Sequence, residues 1–293
     1  MRYAVPLLLC FASYASAQTP EQAVTLKFLG SLYDAESGGY CAQPKGKPSL
    51  RATNAVVKAT KYLGGKLEDK EKTAKFVLGC YDDKTGAFAE PGGKPDVTTS
   101  CIGVMAAMEL GIAKEKIAKA QDYITVYAKE FEEVRMACAA VEAWGGPKDW
   151  KQEAIVEWFK TLFGVVVAES LIKDPQESVR VGASGAVALI RLGIHDDAGD
   201  KATISVCQEG QRDDGGWGKA GEKGSDMESV YRVMRAFFML KEKPKDPAKL
   251  RSFIAKHRNH DGGYAAKPGE KSSAAVTYYA VIVTKWLDEL EKK

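Results

Sequence analysis

Two kinds of helical stretch alternate along this chain. In Val97 to Leu110 and Val181 to Leu192, Ala, Gly, Ser and Val recur on nearly every side, leaving no polar stripe to offer water; such helices are buried all round. Thr73 to Leu78, Ile117 to Ala128, Glu153 to Glu169 and Leu250 to Lys256 keep a charged face, as covering helices do. The first kind is also predicted over Leu50 to Leu63, Phe131 to Trp144, Met227 to Leu240 and Ala274 to Leu287, and the Val181 helix is predicted to begin at Ser178. That makes six buried helices, each with a preceding amphipathic partner.

Local punctuation supports the boundaries. Ser49, Asp96, Ser225 or Asp226, and Ser272 or Ser273 stand where a side-chain oxygen accepts from the free amides of a first turn. Gly64, Gly111, Gly145 and Gly193 stand where a helix ends in a left-handed residue. Four of the buried helices also share a lead-in loop: Asp34 to Gly38-Gly39-Tyr40, Asp83 to Gly86-Ala87-Phe88, Asp213-Asp214-Gly215-Gly216-Trp217 and Asp261-Gly262-Gly263-Tyr264. Tyr40 and Phe88, like Trp217 and Tyr264, are about 45 to 50 residues apart, the period of a helix-hairpin repeat. Six such hairpins predict an all-α protein, an (α/α)6 barrel in which the buried helices form an inner ring. An open solenoid of helix pairs is the alternative architecture.

The first residues change the picture of where the domain begins. Met1-Arg2, an apolar run through Leu7-Leu8-Leu9 to Tyr14, and Ala15-Ser16-Ala17 form an export signal too short for a membrane span. Residues 1–17 are therefore expected to be removed, leaving 18–293 as a single domain that is exported to the periplasm or beyond and is not integral to a membrane. With Lys+Arg 42 against Asp+Glu 39 the formal charge is +3, which favours no nucleic-acid partner. The five cysteines after Cys10 lack a Cys-x-x-Cys pair and are expected to be mostly buried thiols. The Asp-rich loops read as turn chemistry rather than calcium loops.

The string from Cys80-Tyr81-Asp82-Asp83 through Phe88 to Pro95-Asp96-Val97 resembles the repeat of protein farnesyl- and geranylgeranyltransferase β subunits. The Trp217 and Asp261-Gly262-Gly263-Tyr264 segments resemble the related repeats of squalene and hopene cyclases. The resemblance implies a toroid around an apolar funnel for an isoprenoid, with polar groups at the mouth where the inner helices begin. In the prenyltransferases it further implies a zinc held by an Asp-x-Cys pair and a His, with Lys and Arg on the diphosphate. Asp226 matches the aspartate and Lys223 the lysine, but Glu228 stands for the cysteine, Ala220 for the arginine, and Ala275 or Val276 for the histidine. Zinc is thus left without its ligand set, and no other cofactor is expected. The cyclase acid Asp-x-Asp-Asp has no match either, Asp96-Val97-Thr98-Thr99 and Asp226-Met227-Glu228-Ser229 being the nearest strings.

Charges on otherwise apolar helices are costly unless paired or used. Asp226 and Glu228 are the catalytic candidates, if the protein acts as a prenyltransferase-like transferase on isoprenoid diphosphates. Lys223, Arg232, Tyr231, Arg51, Arg135 and Tyr278 are the substrate-binding candidates. The plainer alternative for Asp226, Glu228 and Arg232 is a cap followed by an i,i+4 salt bridge. The expected ligand is an isoprenoid or other hydrophobic small molecule. The alternative is a non-catalytic exported scaffold that binds a protein or glycan through loops of the ring.

Overall fold

A computed structural model describes residues 18–292; the expected signal segment, residues 1–17, lies outside the described residues. Twelve helices run in chain order: α1 (Pro20–Gly30), α2 (Leu50–Tyr62), α3 (Lys70–Gly79), α4 (Val97–Leu110), α5 (Lys119–Tyr127), α6 (Phe131–Trp144), α7 (Gln152–Ser170), α8 (Pro175–Arg191), α9 (Asp197–Glu209), α10 (Met227–Leu240), α11 (Pro247–Lys256) and α12 (Ala274–Glu291). Two minimal hairpins sit in the lead-in loops, Tyr40–Cys41 against Pro48–Ser49 and Tyr81–Asp82 against Ala87–Phe88.

Each even-numbered helix packs on the next, from α2 through α4, α6, α8 and α10 to α12, and α12 returns to α2. The odd-numbered helices pack outside them. The even helices are therefore a closed inner ring, and the open solenoid is excluded. Helices α4, α6 and α10 have the bounds read from the sequence. Helix α8 starts three residues before Ser178, at Pro175, because Asp174 caps it by accepting from the Gln176 amide at 2.9 Å.

The capping alternatives resolve in one consistent way. Asp226 and Ser273 accept from the amides of Ser229 and Val276, at 2.9 and 3.4 Å. Their neighbours Ser225 and Ser272 turn to the lead-in loops and donate to Asp214 and Asp261, at 2.7 and 2.8 Å. The loop aromatic then folds under the helix: the Tyr40, Phe88 and Tyr264 amides donate to the hydroxyls of Thr53, Ser100 and Thr277, at 2.9, 3.0 and 3.0 Å. Tyr40, Phe88 and Trp217 are completely enclosed.

The repeated loop glycine marks where one hairpin meets the next outer helix. Gly38, Gly86, Gly215 and Gly262 all have positive φ, and a Cβ on each would strike backbone atoms of Lys72 (α3), Lys119 (α5), Lys249 (α11) and Val24 (α1) at 2.7 Å or less. The last contact joins the end of the chain to its beginning. The Thr25 hydroxyl donates to the Gly262 carbonyl at 2.8 Å, and the Ala274 amide to the Ala42 carbonyl at 2.9 Å.

Among the described residues the five cysteines are free, and four of them are buried. His195 is bonded to Asp200 at 2.9 Å on the surface. His257, the residue that caps the end of α11, is buried against Phe253, with Nδ1 2.9 Å from the Ala265 carbonyl, so it is a packed histidine.

Gly262→Ala is expected to lower stability by more than about 1 kcal/mol and by more than Gly92→Ala. Gly92 shares the positive φ, but a Cβ there meets nothing. Urea unfolding of both variants checks this.

Candidate functional site

The inner helices present one residue per turn to the axis of the ring, at spacings of three or four: Arg51, Asn54, Lys58 and Tyr62 on α2; Thr98, Ile102, Met105 and Glu109 on α4; Glu132, Arg135, Ala139 and Glu142 on α6. Arg191 enters from α8, Glu228, Tyr231, Arg232 and Arg235 from α10, and Ala275, Tyr278 and Tyr279 from α12. Together they enclose a cavity of about 450 Å³, within the usual range for small-molecule sites. Helices α6, α8 and α10 begin at the same end, because residues of similar height pair with one another: Arg180 with Glu228 nearer the start, and Arg191 with Glu142 near the finish.

The first-turn level is a chain of ion pairs. Arg180 reaches Glu228 at 3.1 Å, and Glu228 takes Arg232 at 2.7 Å. Arg232 bridges to Glu132 at 2.7 Å, and Glu132 takes Arg135 at 2.8 Å. The i,i+4 pair of Glu228 and Arg232 is thus present, but Arg232 also ties α10 to α6 across the ring. Burial pushes the Glu132 carboxyl up, yet the hydrogen bond from Arg232 and the charge of Arg135 outweigh it and hold the group down at about 2.

The deeper level is richer in cations. Lys58, Arg191 and Arg235 face it, while Glu142 is engaged by Arg191 at 2.9 Å and Glu109 by Lys61 at 2.6 Å. Tyr231 stands between the levels. Its hydroxyl lies 3.3 Å from that of Tyr278 and accepts from Arg235 at 3.2 Å, and its ring stacks with Tyr279 and Trp286 at 4.8 and 5.7 Å. Burial opposes ionisation of Tyr231, but the charges of Arg235, Lys58 and Arg191 overcome it and bring the phenol down to about 7; Tyr278 beside it is pushed up.

The structure brings Arg51, Arg135, Glu228, Tyr231, Arg232 and Tyr278 to the cavity wall. Two sequence candidates do not line it. Asp226 is spent on its helix, accepting from the Ser229 amide at 2.9 Å and the Ser229 hydroxyl at 2.7 Å, so its catalytic assignment gives way to capping. Lys223 is exposed in the loop before that cap, away from the lining. Phe237 and Trp286 lie behind the lining as buried core residues. Sequence reasoning missed Lys58, Arg191, Arg235 and Glu142. For Lys58, Arg235 and Glu142 the signal was available, since each continues an inward face at helical spacing from Arg51, Tyr231 or Arg135.

A family model described as the prenyltransferase alpha-alpha toroid domain matches residues 6–148 and 147–293. The chain belongs to that family. Solved structures similar to this toroid include protein geranylgeranyltransferase-I from Candida albicans complexed with GGPP, at 10% identity and TM-score 0.64, covering 82% of this chain and 84% of that one. A type II terpene cyclase from Scytonema, in complex with geranylgeranyl dihydroxybenzoate, matches at 11% identity and TM-score 0.59, covering 93% and 97%. A glycosidase matches at 14% identity and TM-score 0.58, covering 92% and 96%. No curated protein sequence gives a match. Likeness at these identities establishes the toroid, and the variety of the names leaves the chemistry to the site.

Two features of this toroid differ from what the resemblance implies. Its lining carries charge through its whole depth, instead of being an apolar funnel with a polar rim. The zinc positions are also otherwise engaged: Asp226 caps, Glu228 lies between two arginines, and Ala275 and Val276 offer no donor. Among the described residues, no three of His, Cys, Asp and Glu gather to hold a metal.

Glu132→Gln tests the rim. A carboxyl lowered in the folded state contributes stability above its unfolded value, and that contribution is lost as pH falls through the folded one. Glu132 is half-exposed, so wild type is expected to exceed the variant by a screened ~1–2 kcal/mol at neutral pH, with the gap closing as pH falls toward about 2. Urea midpoints across the acid range measure it.

Proposed function

We propose that this family member is an exported protein whose ring holds an isoprenoid or similar amphiphile by an anionic head, without metal. The observation that carries the reading is the composition of the cavity wall: six cations, Arg51, Lys58, Arg135, Arg191, Arg232 and Arg235, face four carboxylates, Glu109, Glu132, Glu142 and Glu228. Such a wall favours an anion, while Tyr62, Tyr278, Tyr279, Ile102, Met105 and Met136 offer apolar surface for a body of modest size. The ligands named with the transferase and cyclase structures support an isoprenoid as that body. The catalytic form of the reading is transfer from an isoprenoid diphosphate, in which the cations would hold the leaving diphosphate. The zinc route to an activated thiolate finds no ligand set in these residues.

A second reading, the scaffold that binds a protein, is favoured by one observation. Helix α7 turns Val156, Phe163 and Val167 outward, exposed by 55, 52 and 43%, and Leu171 at its C-terminal cap is exposed by 77%, a stripe that water alone does not favour. No helix among the described residues is long and apolar enough to cross a membrane.

Purified protein is expected to bind farnesyl or geranylgeranyl diphosphate in calorimetry without added metal, or to carry a lipid detectable by mass spectrometry. If neither occurs, the ligand reading fails and the scaffold reading stands. Export is tested separately: the N-terminus of protein secreted by a host cell is expected to be Gln18, and protein retained inside with Met1 contradicts it.

A further inference from the structure

The deep half of the ring contains two cations with no carboxylate in ion-pair range among the described residues. The Lys58 ammonium contacts only the Met105 thioether, at 3.4 Å. The Arg235 guanidinium lies 4.6 Å above the Trp286 ring, and its one polar partner is the Tyr231 hydroxyl at 3.2 Å; its Nε is buried with no partner. One turn from Lys58, the Asn54 side-chain oxygen is also buried and unpartnered. Unbalanced charge away from water is expensive, and two cations without a paired carboxylate along one open cavity mark a place for an anion.

The surrounding carboxylates act on these cations only at a distance, Glu109 on Lys58 and Glu142 on Arg235, and each is paired elsewhere. On α6, Glu142 is held by Arg191 of α8, and Glu132 holds both Arg135 and Arg232; on α4, Glu109 is taken by Lys61. Tyr62 on α2, and Tyr278 and Tyr279 on α12, resist ionisation because burial pushes them up. Tyr231 alone is placed to serve, with its oxygen on Arg235 and its charge facing Lys58, which burial itself pushes down.

We propose that Lys58 and Arg235 form an oxyanion site for a carboxylate or phosphate-type group, and that Tyr231 is its built-in, displaceable counter-charge. Where Tyr231 is ionised in the empty ring, its phenolate lies on Arg235 and faces Lys58. An arriving oxyanion takes over that role, and Tyr231 then takes one proton from solvent; only its O–H bond forms, and no electrons are transferred. The bound oxyanion afterwards faces a phenol O–H as a hydrogen-bond donor. This deepens the ligand reading by giving the head group a seat, and rests on that reading only for the identity of the natural ligand. Bare anions test the seat itself.

Sulfate, a tetrahedral oxyanion, and benzoate, a planar carboxylate, keep constant charge between about pH 6 and pH 9, so any proton exchanged on binding belongs to the protein. Calorimetry in two buffers of different ionisation enthalpy is expected to show nearly one proton taken up per anion above neutrality and almost none below. Affinity is expected to fall by up to about tenfold per pH unit on the alkaline side. Whichever of the two anions binds more tightly gives the class of head group. Tyr231→Phe is expected to abolish the uptake and flatten the pH dependence. Lys58→Met is expected to weaken binding roughly tenfold or more at every pH. Near-ultraviolet absorbance of the wild type, which needs no variant to fold, is expected to show one tyrosine ionising near neutrality and moving upward when anion is added. Absence of binding by either anion, binding with no proton uptake, an unchanged Lys58→Met affinity, or no tyrosine ionising below the ordinary phenol range overturns the proposal. None of these results bears on whether an isoprenoid chain occupies the ring, which the lipid and diphosphate measurements report separately.

Discussion

Everything in this protein depends on α12 lying against α2. Twelve helices joined only to their sequence neighbours would form a curved strip, and the faces of α2 and α12 would stay wet. Closure buries them, and it is fixed by contacts that repeat those between consecutive hairpins. Gly262 presses on the backbone of Val24 as Gly86 presses on Lys119, and Tyr278 stacks on Tyr62 at 6.5 Å. The seam is thus made of the same parts as the joints at Gly38, Gly86 and Gly215.

Closure also creates the cavity. Six helices around one axis leave open space between their inward side chains, bridged at the rim by Arg232 and Glu132, so the inward positions can carry charge. On α10, Val230, Val233, Met234 and Phe237 fill the space between helices, while Glu228, Tyr231, Arg232 and Arg235 point at the axis. Family membership explains the first set. The second differs from the pattern the family resemblance implied, and it decides what this chain can hold.

What was legible in the sequence is what is decided locally. Caps at Ser49, Asp96 and Asp226, left-handed glycines after the inner helices, and the period of the Asp-Gly-Gly-aromatic loop depend on a few adjacent residues, and they place the helices to within a few positions. The all-round apolar character of α4 showed that it is inner. The site was legible only at its rim, because reasoning from first turns follows the helix starts and stops there. Lys58 and Arg235 each sit among apolar neighbours, and a helical wheel shows them on the face of Asn54 and Tyr231. Whether a carboxylate from another helix meets them is a tertiary fact. The same limit explains Asp226. Its pattern fits both a catalyst and a cap, and only the two bonds from Ser229 separate the two.

The vertical order of charge in the ring follows from these placements. At the rim, Arg180, Arg232 and Arg135 alternate with Glu228 and Glu132, so each carboxylate is shared by two arginines, and the Arg180–Glu228 and Arg232–Glu132 links span helices. Such alternation nearly neutralises itself and locks α6, α8 and α10 together at the end where the helices begin. One level down the alternation stops. Arg191 uses the one carboxylate within reach, and Lys58 and Arg235 are left facing the tyrosines. A phenol is a poor counter-ion in water, where it ionises well above neutrality. Enclosed with cations on three sides it becomes an acceptable one, because desolvation penalises an unbalanced cation as much as an unbalanced anion. The rim therefore gives the toroid rigidity, and the level beneath it carries positive charge that a ligand can satisfy better than Tyr231 does.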